Sequence, residues 1–247
     1  MDISDFIEIR NYYKKPGQSG KLCVAVDGKG KKYLLKKGEY GEPANEYVYS
    51  LIAKQVGVSC QTCHLVEGFG YPVVAFEYIQ SMPVNRKQNF DYDSIVDDLI
   101  KSRALDALTW QDDNLQYIIS TDGKFYKIDN SEAFGFSKFE EYLLKANATN
   151  VNEDRLKQIE NDFERVLSFI NIHKEFVIEK YGVEKVEIFE SVLKKVLETD
   201  FYFLSQDKQL EKVYSKETYK YFLAHITAIK KAIEIYLSKT KGKEQWT

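Results

Sequence analysis

The first eighty residues are rich in glycine and in short apolar runs. Short apolar runs with glycine or proline between them predict strands. The predicted strands are separated by glycine, proline or charged residues and cover residues 5–13, 21–27, 31–37, 61–67 and 72–79. Residues 43–56 differ, because their apolar positions recur at intervals of three and four between Pro43 and Gly57, and this predicts a helix.

From about residue 91 the spacing of apolar residues becomes helical. A short hairpin interrupts this part, with predicted strands at 115–120 and 124–129 around Asp122-Gly123, a dipeptide typical of tight turns. The predicted helices cover residues 91–109, 137–146, 153–180, 184–198 and 216–239. We therefore expect an α+β protein with two lobes. Residues 1–80 would form a five-stranded antiparallel β lobe with one helix, and residues 81–247 a mainly helical lobe.

The composition is that of an ordinary folded protein. Of its 247 residues, 44% are hydrophobic and 30% charged, which is enough apolar material for a sizeable core. The formal net charge of −3 gives no reason to expect direct binding to nucleic acid or to a membrane. The first ten residues, MDISDFIEIR, are not those of a signal peptide. We therefore expect a cytoplasmic protein whose three cysteines, Cys23, Cys60 and Cys63, are reduced.

The loop at residues 16–21 reads PGQSGK and lies between two predicted strands. Glycines allow backbone N–H groups to approach phosphate oxygens closely, so such a loop can bind the phosphates of a nucleotide. An ordinary hairpin turn is the alternative interpretation. The candidate phosphate-binding residues are Gly17, Gln18, Ser19, Gly20 and Lys21.

Lys36 ends the third predicted strand, and Glu46 lies on the helix that follows it. Kinases use a lysine on the corresponding strand to hold phosphates and a helix glutamate to orient that lysine. A surface lysine and a solvated glutamate are the alternative. The end of the fifth predicted strand is where the backbone of a kinase meets the adenine base. The candidates there are Glu77, Tyr78 and Ile79.

Residues 105–136 read LDALTWQDDNLQYIISTDGKFYKIDNSEAFGF, a predicted helix, an acidic and amide-rich loop, a hairpin and then Ile-Asp-Asn. Phosphoryl transfer needs a carboxylate at the acceptor hydroxyl, and a second carboxylate with an amide oxygen on Mg²⁺. Together with YLLK, NEY and VAFEYI, the motifs LDALT-x-Q-x-D and KIDNSEAFG resemble the HipA-like kinases, which are similar to phosphatidylinositol kinases. The resemblance covers about residues 10–136 and implies a bilobed protein-kinase-like fold.

The resemblance also implies roles for residues of the loop and hairpin. Asp113 falls where the family has its catalytic aspartate, and Asp129 where it has a metal-binding aspartate. The metal-binding amide would be Asn114 or Gln116. The family typically has Asp-Arg-His-x-x-Asn-aromatic, whereas this loop lacks the Arg-His pair and is shorter. A small shift of register would make Asp112 the catalytic candidate.

Several ligands and partners follow from the same resemblance. ATP and Mg²⁺ would be bound, and the γ-phosphate would pass to a serine or threonine hydroxyl of a protein substrate. A small antitoxin-like protein is the partner of toxin–antitoxin members of the family. Because the loop departs from the family pattern, a pseudokinase that binds nucleotide or protein is the alternative. A phosphotransferase for small molecules is a third interpretation.

Overall fold

The computed structural model describes residues 1–11, 22–38, 41–111, 115–135 and 153–244. Within these ranges the chain forms a five-stranded antiparallel sheet followed by a mainly helical part. The predicted α+β fold class is confirmed by this antiparallel sheet and the helices that follow it.

The sheet contains all five predicted strands. They are β1 (Phe6–Asn11), β2 (Leu22–Asp27), β3 (Lys32–Lys36), β4 (Cys63–Val66) and β5 (Val73–Glu77). Their order in the sheet is β1-β2-β3-β5-β4, and each neighbouring pair is antiparallel. This order puts β3 and β5, the strands with the candidate nucleotide-binding residues, side by side near the middle of the sheet.

Helix α1 (Glu42–Val56) packs against one face of the sheet. Pro43 lies in its first turn and Gly57 ends it with a left-handed backbone, as the sequence predicts. The apolar residues beneath the helix include Leu65, Val74 and Phe76. The opposite face of the sheet has a smaller core of its own, formed by Phe6, Ala25, Tyr33, Leu35, Val66, Val73 and Ala75.

The helices after the sheet are α2 (Val84–Lys87), α3 (Val96–Leu108), α4 (Glu153–Glu160), α5 (Phe163–Tyr181), α6 (Val186–Glu198), α7 (Lys208–Val213) and α8 (Thr218–Glu244). The predicted helix at 153–180 is wrong in one respect, because α4 and α5 are separate. Asn161 and Asp162 lie at the break, and short polar side chains of this kind compete with helical hydrogen bonding. The predicted helix at 137–146 lies outside the described residues. None of the described helices has the length and apolar character needed to cross a lipid bilayer.

The predicted hairpin is present as β6 (Tyr117–Ile119) and β7 (Phe125–Lys127), and Gly123 adopts a left-handed conformation in its turn. Backbone hydrogen bonds attach the hairpin to one residue that precedes β4 in the sequence and to one that follows β5. The Lys127 N–H donates to the Ser59 carbonyl at 3.0 Å, and the Met82 N–H donates to the Ile119 carbonyl at 2.7 Å. The residues that follow β7 are therefore held at the junction between the sheet and the helices.

Candidate functional site

The ammonium group of Lys36 lies between two carboxylates from different parts of the chain. Its Nζ is 3.0 Å from Glu46 Oε1 and 2.6 Å from Asp129 Oδ1. Lys36 is the last residue of β3, Glu46 lies on α1, and Asp129 follows β7. The side chain of Glu46 is 1% exposed, whereas that of Asp129 is 34% exposed. A positively charged group and a partly accessible carboxylate therefore meet where the sheet, α1 and the hairpin converge.

Burial and charge have opposing effects on the ionisation of these groups. Burial lowers the pKa of Lys36, but the two carboxylates outweigh it and the pKa lies above its ordinary value. Burial raises the pKa of Asp129, but the neighbouring Lys36 more than compensates and the pKa lies below its ordinary value. At neutral pH the partly exposed carboxylate of Asp129 and the ammonium of Lys36 are therefore both charged.

Helix α1 also holds the backbone that follows Asp129. Glu46 uses its second carboxylate oxygen, Oε2, to accept a hydrogen bond from the Asn130 N–H at 2.8 Å. The preceding residue, Asn45, donates from Nδ2 to the Ser131 carbonyl at 2.6 Å. Two adjacent residues of one helix thus position the segment that carries Asp129.

The backbone around the site is strained. Three non-glycine residues of the described part have positive φ angles: Trp110 (59°), Asp129 (59°) and Phe134 (62°). A left-handed conformation costs an L-residue about 1–2 kcal/mol, and such strain is concentrated at functional sites. The segments that contain these residues are tied together, because the Phe134 N–H donates to the Thr109 carbonyl at 2.7 Å. A second tie is the 2.9 Å hydrogen bond from Gln111 Nε2 to the Asp129 carbonyl.

The predicted base-binding segment at the end of β5 is partly engaged within the protein. The Glu77 N–H donates to the Thr62 carbonyl at 2.9 Å, and the Glu77 carbonyl accepts from Gln61 Nε2 at 2.9 Å. The Tyr78 N–H donates to β3 at 3.0 Å. In the described part of the chain, neither backbone group of Ile79 has a hydrogen-bonding partner. Ile79 therefore has a backbone donor and a backbone acceptor that the described residues leave unused.

Half-buried apolar side chains lie beside this segment and the charged cluster. Leu34 shares a face of β3 with Lys36, because the two are separated by one residue. Val24 is paired with Leu34 across the sheet and is also half-buried. Ile128, immediately before Asp129, is half-buried as well. Such side chains supply apolar surface of the kind that an aromatic base requires.

The other predicted site residues are not brought into this cluster. Asp113, Asn114 and the loop residues Gly17, Gln18, Ser19, Gly20 and Lys21 lie outside the described residues. Gln116 is described, and its side chain is exposed. Its carbonyl accepts a hydrogen bond from the Ile128 N–H at 3.0 Å, so Gln116 lies opposite the residue before Asp129. The choice between Asn114 and Gln116 as metal-binding amide stays a prediction.

The oxygen donors near Asp129 fit a hard cation such as Mg²⁺. Carboxylate, hydroxyl and amide oxygens are its usual protein ligands. Ser131 Oγ lies 3.4 Å from Asp129 Oδ1, and the buried acceptors Gln111 Oε1 and Asn130 Oδ1 have no hydrogen-bonding partner among the described residues. Among the described residues, no three histidine, cysteine, aspartate or glutamate side chains are grouped as metal ligands. A cation here would therefore depend on Asp129, with other ligands from bound phosphates, water or the amide-rich loop.

The sequence did not identify Gln111 or Asn130 as site residues. Gln111 lies in the motif LDALT-x-Q-x-D, but nothing in that motif indicates that its side chain reaches the backbone of Asp129. Asn130 follows the predicted metal-binding aspartate and contributes mainly its backbone N–H. Both roles depend on contacts between distant segments.

Comparison with known proteins gives structural likeness without sequence similarity. No protein-family model and no curated protein sequence matches the chain. Among solved structures, the crystal structure of a Helicobacter pylori proinflammatory kinase, CtkA, is similar over 93% of this chain and 92% of that chain. The TM-score is 0.48 and the sequence identity is 12%. A likeness of this degree says nothing about activity or substrate, which have to be inferred from the site itself.

Proposed function

We propose that this protein is an ATP-dependent kinase that transfers the γ-phosphate of ATP to a serine or threonine hydroxyl of a protein. The main support is the position of Lys36 between Glu46 and Asp129, at 3.0 and 2.6 Å. Phosphoryl transfer is catalysed mainly by positioning and by electrostatic stabilisation, and a strand lysine, a helix glutamate and a metal-binding aspartate are its recurring parts.

Lys36 would bind phosphate oxygens of the nucleotide. Its pKa lies above the ordinary value, so the side chain is charged throughout the neutral range. Glu46 would keep the ammonium in place, because its carboxylate is almost fully buried and contacts Lys36 directly. A phosphate oxygen could replace Asp129 as the second partner of the ammonium while Glu46 remains bound.

Asp129 would hold Mg²⁺, together with the amide of Asn114 or Gln116. The ion supplies positive charge that neutralises the phosphates during transfer. The low pKa of Asp129 keeps its carboxylate ionised and available as a ligand. The backbone of Ile79 would meet the adenine base, beside the apolar side chains of Val24 and Leu34, and the loop at residues 16–21 would contact the phosphates.

Asp113 would position the acceptor hydroxyl or remove its proton. The role rests on the resemblance to HipA-like kinases, as does the expectation of an antitoxin-like partner. A pseudokinase that only binds nucleotide or protein is the second candidate, and it is favoured by the absence of the Arg-His pair after Asp113. A phosphotransferase acting on small molecules has less support, because no motif of this chain indicates such a substrate.

Transfer of radiolabel from ATP to the protein itself and to a generic acceptor protein distinguishes these candidates. For a kinase we expect Asp113→Ala to lower transfer by about 10²–10⁴-fold, the usual effect of losing a general base, and Asp112→Ala to have a much smaller effect. Nucleotide binding should survive both substitutions. Binding without transfer in the wild type, over several divalent metals and acceptors, would favour the pseudokinase. Equal transfer by wild type and Asp113→Ala would instead indicate Asp112.

A further inference from the structure

The peptide unit between Asp129 and Asn130 is held at both of its polar ends. Its carbonyl oxygen, which belongs to Asp129, accepts a hydrogen bond from Gln111 Nε2 at 2.9 Å. Its N–H group, which belongs to Asn130, donates to Glu46 Oε2 at 2.8 Å. In a trans peptide the C=O and N–H bonds point in opposite directions, so the two side chains hold the unit from opposite sides.

This peptide follows a residue with an unfavourable backbone conformation. Asp129 has φ of 59°, in the left-handed region that L-residues rarely occupy. The φ torsion lies on the other side of the Asp129 Cα, so rotation of the clamped peptide about its flanking bonds would change ψ of Asp129 and leave φ positive. The same rotation would break both hydrogen bonds, one of which has a charged acceptor and is therefore among the stronger kinds. The two bonds thus keep Asp129 Oδ1 at its 2.6 Å contact with Lys36.

Burial and a backbone hydrogen bond hold Gln111 in the position from which its side chain reaches the Asp129 carbonyl. Its side chain is buried, with 1% of the residue exposed. Its backbone N–H donates to the Asp106 carbonyl at 3.0 Å, directly after the left-handed turn at Trp110 that ends α3. Its Oε1 has no partner, so within the described residues the side chain acts only as a donor to the Asp129 carbonyl.

We propose that Gln111 is a positioning residue, which together with Glu46 clamps the Asp129–Asn130 peptide and fixes the carboxylate of Asp129. The clamp itself rests on the two hydrogen bonds, and its importance for Mg²⁺ rests on the proposed function. Glu46 contacts both parts of the site, because its Oε1 contacts Lys36 and its Oε2 accepts the hydrogen bond from the clamped peptide. Helix α1 and Gln111 therefore fix the distance between the ammonium of Lys36 and the carboxylate of Asp129.

The clamp can be tested without any ligand by hydrogen exchange of the Asn130 amide. Gln111→Met keeps the side-chain size and removes the donor, and Gln111→Leu, which also lacks a donor, is a second variant in case Gln111→Met does not fold. Thr109→Val is a matched control, because the Thr109 side chain is also buried and donates one hydrogen bond to a backbone carbonyl, that of Leu105 at 3.0 Å. This bond lies within the end of α3 and does not involve the clamped peptide.

We expect the Asn130 amide to exchange about tenfold faster in either Gln111 variant than in the wild type, because local opening then breaks one hydrogen bond fewer. Thr109→Val should change this rate much less, although it also removes a buried hydrogen bond. Unchanged exchange in the Gln111 variants, or equal acceleration in Thr109→Val, would overturn the clamp.

The role in metal binding is tested by the affinity for ADP with and without Mg²⁺, measured by calorimetry. Loss of a residue that orients a metal ligand typically lowers affinity about 10–100-fold. We therefore expect Gln111→Met to reduce the gain in affinity from Mg²⁺ by this factor, with affinity for metal-free ADP unchanged and the gain retained in Thr109→Val. A full gain in Gln111→Met would overturn the positioning role. No gain in the wild type would contradict the proposed function, and hydrogen exchange alone would then decide on the clamp.

Discussion

Lys36 is the residue whose surroundings say most about the site. Its two carboxylate partners come from different elements, and Asp129 is 93 residues away in the sequence. Lys37 follows the last residue of β3, and its Nζ is 3.7 Å from the centre of the Tyr71 ring. Of these two adjacent lysines, Lys36 is therefore the one that contacts the carboxylates of the site.

At the same scale, the Asp129→Ala substitution should abolish the response of the protein to Mg²⁺–ATP. The substitution removes the carboxylate expected to bind Mg²⁺ and leaves Lys36 with Glu46 as its partner. We expect the fold to persist, because the Asp129 side chain is one-third exposed, and we expect the rise in melting temperature with Mg²⁺–ATP to disappear. The matched control is Asp122→Ala in the hairpin turn, where the side chain is 56% exposed.

The melting temperature with and without Mg²⁺–ATP measures both effects. A nucleotide-dependent rise that persists in Asp129→Ala would contradict the assignment of Asp129 to the metal. Unfolding of this variant at room temperature would show that the carboxylate is needed mainly for the structure.

At the scale of elements, a buried polar cluster joins α1, α3 and β7. Tyr49 on α1 donates its hydroxyl hydrogen to Asp106 Oδ1 on α3 at 2.8 Å. The same oxygen lies 3.8 Å from Nζ of Lys127 on β7. Both charged side chains are almost fully buried, with 1% or less exposed. The cluster lies in the elements that deliver Glu46 and Asp129, so its ionisation state is coupled to the stability of the site's framework.

The cluster predicts a specific dependence of stability on pH. Burial raises the pKa of Asp106 to about 6, although Lys127 and Tyr49 favour the ionised form. A carboxyl group with a higher pKa in the folded state binds its proton more tightly when folded. Its contribution to the free energy of unfolding is therefore present at low pH and is lost as pH rises from the ordinary value of 3.8 to about 6.

Asp106→Asn tests this sign, because it removes the titrating group and largely keeps the shape. Between pH 4 and pH 6, the free energy of unfolding of the wild type should fall relative to that of Asp106→Asn, as measured by urea unfolding. The difference between the two proteins should be constant above pH 7. A relative rise of wild-type stability over the same interval would show that Asp106 is ionised more easily in the folded state than in the unfolded state.

At the scale of the whole molecule, local patterns predicted the sheet, α1 and the hairpin, because short apolar runs, helical spacing and turn residues act over a few positions. The division between α4 and α5 was missed, since the apolar spacing continues across Asn161 and Asp162. The backbone hydrogen bonds of the hairpin with Ser59 and Met82 could not be predicted, because they join segments that are far apart in the sequence and share no local pattern.

The part of the candidate site that lies in recognisable motifs could be predicted from the sequence. Lys36, Glu46 and Asp129 were identified from the sequence, and the structure brings them together. The contact of Gln111 with Asp129 was not identified from the sequence, because this contact depends on a left-handed turn at Trp110. Tryptophan has no preference for that conformation, so only the tertiary structure imposes it.

The most direct test of the proposed function compares Mg²⁺–ATP binding by the wild type, Lys36→Met and Lys37→Met using titration calorimetry. Methionine keeps much of the apolar stem and removes the charge, so each substitution deletes one ammonium group. The account predicts that the wild type binds, that Lys36→Met binds at least about tenfold more weakly because a charge-assisted contact with phosphate is lost, and that Lys37→Met binds like the wild type. Equal affinities for all three proteins, or no wild-type binding at millimolar nucleotide, would contradict it.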